Sequence, residues 1–186
     1  MKSLTYKIID VNGLYSLYYK DNPGLGRIIR THSEQVAKKA LSIINQKQLQ
    51  VNSGFVYSAS LLHDIGVIKC NAPDMGAKGD LPYICHGVEG RKLLENKHLY
   101  EIAKVCERHT GSGITKKEII QNNLPLPKRD MMPITLEEKL ICYADKFFSK
   151  SGNLEQEKSL ETIINQLERY GKEVVERFLK LHTIFS

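Results

Sequence analysis

Apolar residues recur at intervals of three and four along most of this chain, a period that helices accommodate and strands do not. Between positions 26 and 46 the stripe runs Ile28, Ile29, Val36, Ala40, Ile43, Ile44, with Pro23-Gly24 as the break before it. Asn52-Ser53-Gly54 offers caps for a second helix from about Phe55 to Ile65, stopped near Gly66. The spacing predicts further helices over 86–95 and 99–108 and a short one over 115–122. Thr135-Leu136-Glu137-Glu138 is a capping-box pattern opening a helix that reads on to about Lys150. Leu160, Ile163, Ile164, Leu167, Val174, Phe178 and Leu181 read as one long amphipathic helix, able to cover its own core or that of a homodimer partner. The segment Cys70 to Pro82 reads as loop, and Tyr6-Lys7-Ile8-Ile9 and Leu14 to Tyr19 fit either period. The expected fold class is all-α: an N-terminal extension over 1–25, a helical core over 26–150 and the amphipathic helix within 151–186.

Charge and cysteine usage narrow the function classes. The 186 residues carry 27 Lys+Arg and 21 Asp+Glu, a net +6, and residues 1–114 hold 15 of those cations against 10 acids, a balance of +5. No Lys/Arg-rich run interleaved with aromatics occurs, so a dedicated nucleic-acid surface is not expected, whereas a small anionic substrate is. Cys70, Cys85, Cys106 and Cys142 form no CxxC pair and read as packed thiols. The segment Met1 to Lys7 lacks the apolar run of a signal peptide, and no stretch approaches ~18 uninterrupted apolar residues. A cytoplasmic chain without a membrane span is the expectation.

The unusual residues on the apolar stripes are polar. His32 lies on the line Ile28–His32–Val36, His63 follows Ala59 by four, and His109 extends Ile102–Val105/Cys106. Asp145 stands between Ile141 and Phe148 in the same way. A carboxylate turned toward a core is costly unless paired or metal-bound. One inward histidine is ordinarily hydrogen-bonded core, but several from separate helices, with an inward Asp, are satisfied together by a shared metal. At a helix end released by Gly66, His63 and Asp64 can reach neighbouring points, and a carboxylate can bridge two ions ~3.5–4 Å apart.

His32, the His63-Asp64 doublet and Asp145 reproduce the H…HD…D signature, within the local text His32-Ser33-x-x-Val36-Ala37, Leu61-Leu62-His63-Asp64-Ile65-Gly66 and Ala144-Asp145-Lys146. On these residues the chain resembles the HD-domain phosphohydrolase superfamily, over about 26–150. His86-Gly87-x-x-Gly90 and Glu107-Arg108-His109-Thr110-Gly111 sit where its binuclear members place two further histidines. The resemblance implies one metal on His32, His63, Asp64 and Asp145 and a second on Asp64, His86 and His109. Mixed imidazole and carboxylate ligands suit Fe, Mn, Co, Ni or Zn. It also implies hydrolysis of a phosphate ester or anhydride in a nucleotide or other small phosphorylated substrate, by attack of a metal-bound hydroxide that Asp64 positions. Lys69 stands in for the cation that many members carry directly after the doublet's glycine, where this chain has Val67. The GYP motif of cyclic-di-GMP phosphodiesterases is absent, which disfavours that substrate. The competing expectation is a non-catalytic sensor that binds a nucleotide or metal. His98 and His182 have no place in the pattern, and Gly111-Ser112-Gly113 reads as a phosphate-approaching backbone or a plain turn.

Overall fold

The computed structural model describes residues 9–186, so Tyr6-Lys7-Ile8 of the ambiguous N-terminal stretch lie outside the described residues. Helices α1 (Val11–Tyr18), α2 (Pro23–Lys47) and α3 (Ser53–Leu62) come first. Asn22 accepts from the Leu25 N–H, with Pro23 at the first helical position, and Asn52 accepts from the Phe55 N–H. Both side chains satisfy donors that a helix start leaves free. The Leu14 to Tyr19 stretch resolves as helix, tied down by its tyrosines: Tyr15 OH donates to the Leu61 carbonyl (2.8 Å) and Tyr18 OH to that of Leu93 (3.1 Å).

After α3 the chain tightens into a 3-10 turn, Ile65–Lys69, and a small sheet of β1 (Cys70–Ala72), β2 (Ala77–Lys78) and β3 (Leu81–Pro82), in the order β2-β1-β3. β1 runs antiparallel to β2 and parallel to β3. The sequence reads this segment as loop, because strands of two or three residues are too short for an alternating pattern to register. Four helices follow: α4 (His86–Glu95), α5 (Tyr100–Arg108), α6 (Lys116–Gln121) and α7 (Leu136–Asp145). The Thr115–Glu118 capping box opens α6. The fold is all-α apart from this sheet.

α7 stops at Asp145, five residues short of the expected end. Phe147 and Phe148 are both buried, and side chains diverging by about 100° along a helix reach one core more easily once the chain has left it. The single long C-terminal helix is also corrected. It is a hairpin of α8 (Leu160–Glu168) and α9 (Lys172–Phe185), broken at Gly171, which takes φ 115°. Ile163 and Leu167 of α8 and Val174, Phe178, Leu181 and Phe185 of α9 are buried, so the two halves keep one apolar stripe. α9 packs against α7, where Phe178 stacks on Tyr143, and Ser112 Oγ donates to the Val174 carbonyl (2.7 Å). The core is shared by α2 (Ile29, Val36, Ala40), α3 (Val56, Ala59, Leu62) and α7 (Leu140, Ile141, Ala144), all fully buried. Each large aliphatic side chain there contributes about 1.5–3 kcal/mol of transfer free energy. Among the described residues no helix is long and apolar enough to cross a membrane.

Candidate metal centre

Helix ends build the site. His63 and His109 cap the C-terminal ends of α3 and α5, Asp145 is the last residue of α7, and His86 opens α4. Only His32 comes from mid-helix, on the buried face of α2. Three helix C-termini bring partial negative charge to one place, which favours a cation. Close backbone approach sets the spacing. A Cβ on Gly66 would lie 2.1 Å from the His86 carbonyl oxygen, and one on Gly87 would lie 2.6 Å from that of Cys106. Only glycine therefore lets α4 meet the turn after Asp64 on one side and α5 on the other.

Two groups of donors meet at Asp64. Its Oδ2 lies 3.4 Å from His32 Nε2 and 3.2 Å from His63 Nε2, and Asp145 Oδ1 lies 2.9 and 3.4 Å from the same two nitrogens. Its Oδ1 faces the other way, 3.4 Å from His86 Nε2 and 3.3 Å from His109 Nε2. All six side chains are buried. Carbonyl oxygens three residues back fix three of the rings: Nδ1–H of His63, His86 and His109 donates to Ser60 (2.6 Å), Tyr83 (2.7 Å) and Cys106 (2.8 Å). A carbonyl only accepts, so Nδ1 carries the hydrogen and a neutral ring turns its Nε2 lone pair inward, as metal ligation requires. His86 and His109 present Nε2 atoms 3.1 Å apart beside Asp64 Oδ1, so in the neutral rings three acceptors converge with no hydrogen among them. Neither Asp64 oxygen nor His63 Nε2 has an aligned hydrogen-bond donor among the described residues. These atoms without hydrogen-bond partners fit a divalent cation: His32, His63, Asp64 and Asp145 could hold one, and Asp64, His86 and His109 another.

The charges respond to this crowding. Burial would raise the Asp64 carboxyl, yet His63 and Lys150 hold it well below the carboxylate range. Burial works against the His63 imidazolium, but Asp64 and Asp145 outweigh it and raise its pKa to about 9. Burial takes His32 down to about 4, with the Lys150 ammonium acting the same way, and His86 down to about 3 against the pull of Asp64.

Comparison with known proteins agrees with this geometry. Residues 29–149 match the HD domain family. The chain belongs to the HD-domain family. The HD superfamily consists mostly of hydrolases, and the buried His/Asp cluster is of the kind that could bind divalent metals. The HD chain is 37% identical over 142 residues to an uncharacterized protein of Methanocaldococcus jannaschii, covering 75% of this chain and 73% of that one. It is 34% identical over 123 residues (66% of this chain) to a tRNA (cytidine(56)-2'-O)-methyltransferase of Picrophilus torridus. It is 28% identical over 183 residues (97% of this chain) to the protein of that name in Thermoplasma volcanium. The matched segments make up only 32% and 48% of those two methyltransferases. No solved structure matches the HD chain.

A cleft of about 950 Å³ opens beside the HD cluster, lined by His86, His109 and Asp145 and, from the C-terminal hairpin, by Gln166, Leu167 and Val174. This is the size of a small-molecule site. Lys69 is exposed at the end of its 3-10 turn and does not line the cleft. Three lysines beyond α7 line it instead: Lys146, Lys150 and Lys158. Lys146 Nζ lies 2.6 Å from Asp145 Oδ2. Lys150 Nζ lies 2.8 Å from Asp64 Oδ2 and 3.7 Å from Asp145 Oδ1, between the two carboxylates. The sequence reading missed Lys150 because it carried α7 through that position; the signal available was the Phe147-Phe148 pair, which marks the helix end. Gly111 and Gly113 also line the cleft as a turn of positive φ after His109. The His98 ring contacts Tyr100 at the surface, His182 contacts Tyr143, and the four cysteines are buried free thiols outside both donor groups.

Proposed function

We propose that the chain is a metal-dependent phosphohydrolase cleaving a phosphomonoester, phosphodiester or phosphoanhydride bond in a nucleotide or other small phosphorylated substrate. The observation that carries this reading is the division of Asp64, one oxygen to each of two donor groups, beside a lysine-lined cleft. His32, His63, Asp64 and Asp145 would hold one divalent transition metal and Asp64, His86 and His109 a second. Bound there, such ions supply Lewis acidity at phosphoryl oxygens and lower the pKa of water toward ~7. The protein's own contribution is placement. The Nδ1–H bonds to Ser60, Tyr83 and Cys106 hold three rings in one tautomer, and the fully buried Asp64 carboxylate keeps a single orientation toward both groups. Lys146 and Lys150 offset the charge of an incoming phosphate at the mouth of the cluster.

The test is a metal-quantified preparation assayed on phosphomonoesters, cyclic nucleotides and dinucleoside polyphosphates with Mn, Fe or Co. About two ions per chain and turnover of one class are expected. Asp64→Ala should lower metal affinity by more than about 100-fold, since removing even an outer partner of a metal ligand costs about 10–100-fold, and turnover should fall to background. Near-normal turnover in that variant would sink the reading.

The match to about half of a tRNA methyltransferase favours a second reading, in which this unit binds a nucleotide or metal without catalysis and serves a tRNA-directed enzyme. Both sites filled and no turnover of any phosphate class would move the assignment there.

A further inference from the structure

Most cations of the cleft are already answered by a carboxylate. Lys146 has Asp145, Lys150 has Asp64, and Arg177 has Glu118 at 2.7 Å. Arg169 has no carboxylate of the described residues within 4 Å, but its side chain is exposed to solvent. Lys158 is different. Its side chain is partly buried, no carboxylate of the described residues lies within 4 Å, and its polar contact is the amide oxygen of the exposed Gln166 at 3.2 Å. Residues 1–8 contain no Asp or Glu.

The chain holds Lys158 in this position. Its backbone N–H donates to the Phe147 carbonyl (2.8 Å), and the preceding Glu157 is pinned outward by Lys39 of α2 (2.5 Å). With its neighbour fixed on the outside, the Lys158 side chain turns into the cleft that also holds His86, His109 and Asp145. A partly desolvated ammonium with no carboxylate in contact is unfavourable, and an anionic ligand reduces the penalty. The cleft, at about 950 Å³, is also far larger than one phosphate group needs.

We propose that Lys158 is the cation of a second anion subsite, so that the substrate carries a phosphate chain, with one phosphoryl group at the His/Asp cluster and a further phosphate against Lys158. Gln166 orients the ammonium and offers its own amide to the same group. This deepens the phosphohydrolase reading by naming the substrate class, nucleotides with two or more linked phosphates, and it rests on that reading for the place of the first phosphate. Lys158 and Gln166 both come from the segment beyond α7, which would make that segment the specificity-determining wall of the site.

The experiment is calorimetric binding of inorganic tripolyphosphate and of orthophosphate to the Mn-loaded full chain. A metal-ion buffer clamps free Mn so that chelation does not strip the site, and metal content is measured in the same sample. The native chain should prefer tripolyphosphate by at least about tenfold, the scale of one charge-assisted contact. Lys158→Gln should bring the ratio to within about threefold, and Lys158→Arg, which keeps the charge, should preserve it. Gln166→Ala should narrow the ratio partway. A native chain that binds both anions alike, or a Lys158→Gln chain that keeps the preference, overturns the subsite. Preference without hydrolysis of any substrate overturns the hydrolase reading and leaves the subsite standing. Hydrolysis without preference does the reverse, and binding of neither anion overturns both.

Discussion

Lys150 occupies the space between Asp64, which the two donor groups share, and Asp145 of the first group. With its side chain 16% exposed, it is the ammonium in contact with Asp64 and lies near Asp145, which Lys146 also contacts. Removing one partner from such a contact leaves buried charge uncompensated, at up to about 3–5 kcal/mol for full burial. Lys150→Met should therefore lower the stability of the chelator-treated protein by about 2 kcal/mol, discounted for the exposure of the ammonium. Divalent metal should restore most of the loss; urea melts with and without Mn check both statements. His63 makes a second prediction. Its pKa of about 9 lies above neutral pH, so at pH 7 the metal-free ring is protonated, whereas His32 (about 4) and His86 (about 3) are already neutral. A ligand nitrogen must shed its proton before it binds. Metal affinity should thus rise about tenfold per pH unit from 7 and level off near 9, with about one proton released per chain at pH 7. Calorimetry in buffers of different ionisation enthalpy measures that release, and a pH-independent affinity would count against a protonated His63.

Glycine contacts govern how the elements meet. Gly66 sits where a Cβ would fall 2.2 Å from the Gly90 backbone nitrogen as well as against His86, and both neighbours are main chain that cannot swing aside. Gly66→Ala should cost at least about 2 kcal/mol, toward the upper end of overpacking penalties of about 1–3 kcal/mol. Because α4 carries His86, the displaced helix should take one side of Asp64 with it. Metal analysis should find fewer than two ions per chain, while the group on His32, His63 and Asp145 persists. At this scale the sequence was readable where a period lasted several turns, as in α2, α3, α4 and α5. It misled where a single residue ended an element. Gly171 breaks the C-terminal stripe into a hairpin without changing which residues are buried, so the apolar period passed straight through it.

Across the whole molecule, burial and metal chemistry are linked. Six buried polar side chains from five segments converge on one point, and a metal bound only by the folded chain stabilises it by about 2.7 kcal/mol at a hundredfold excess over its dissociation constant. Chelation should lower the melting temperature by several degrees and Asp64→Ala should abolish that response; scanning calorimetry on both proteins tests this. The sequence by itself determined the helical class, because the 3–4 period of apolar residues is local. It also pointed to inward polar residues, because an imidazole on an apolar stripe shares that stripe's face. His32, His63, His109 and Asp145 could be named that way, and the resemblance added Asp64 and His86. The resemblance implied Asp64 in both groups, and the tertiary structure shows how each oxygen is aimed, through close backbone contacts among α4, α5 and the turn after His63. Only the tertiary structure brought Lys150 and Lys158 to the cleft and left Lys69 outside. Those lysines lie in a stretch with no repeating pattern, where the path is set by which side chains find room against helices distant in sequence.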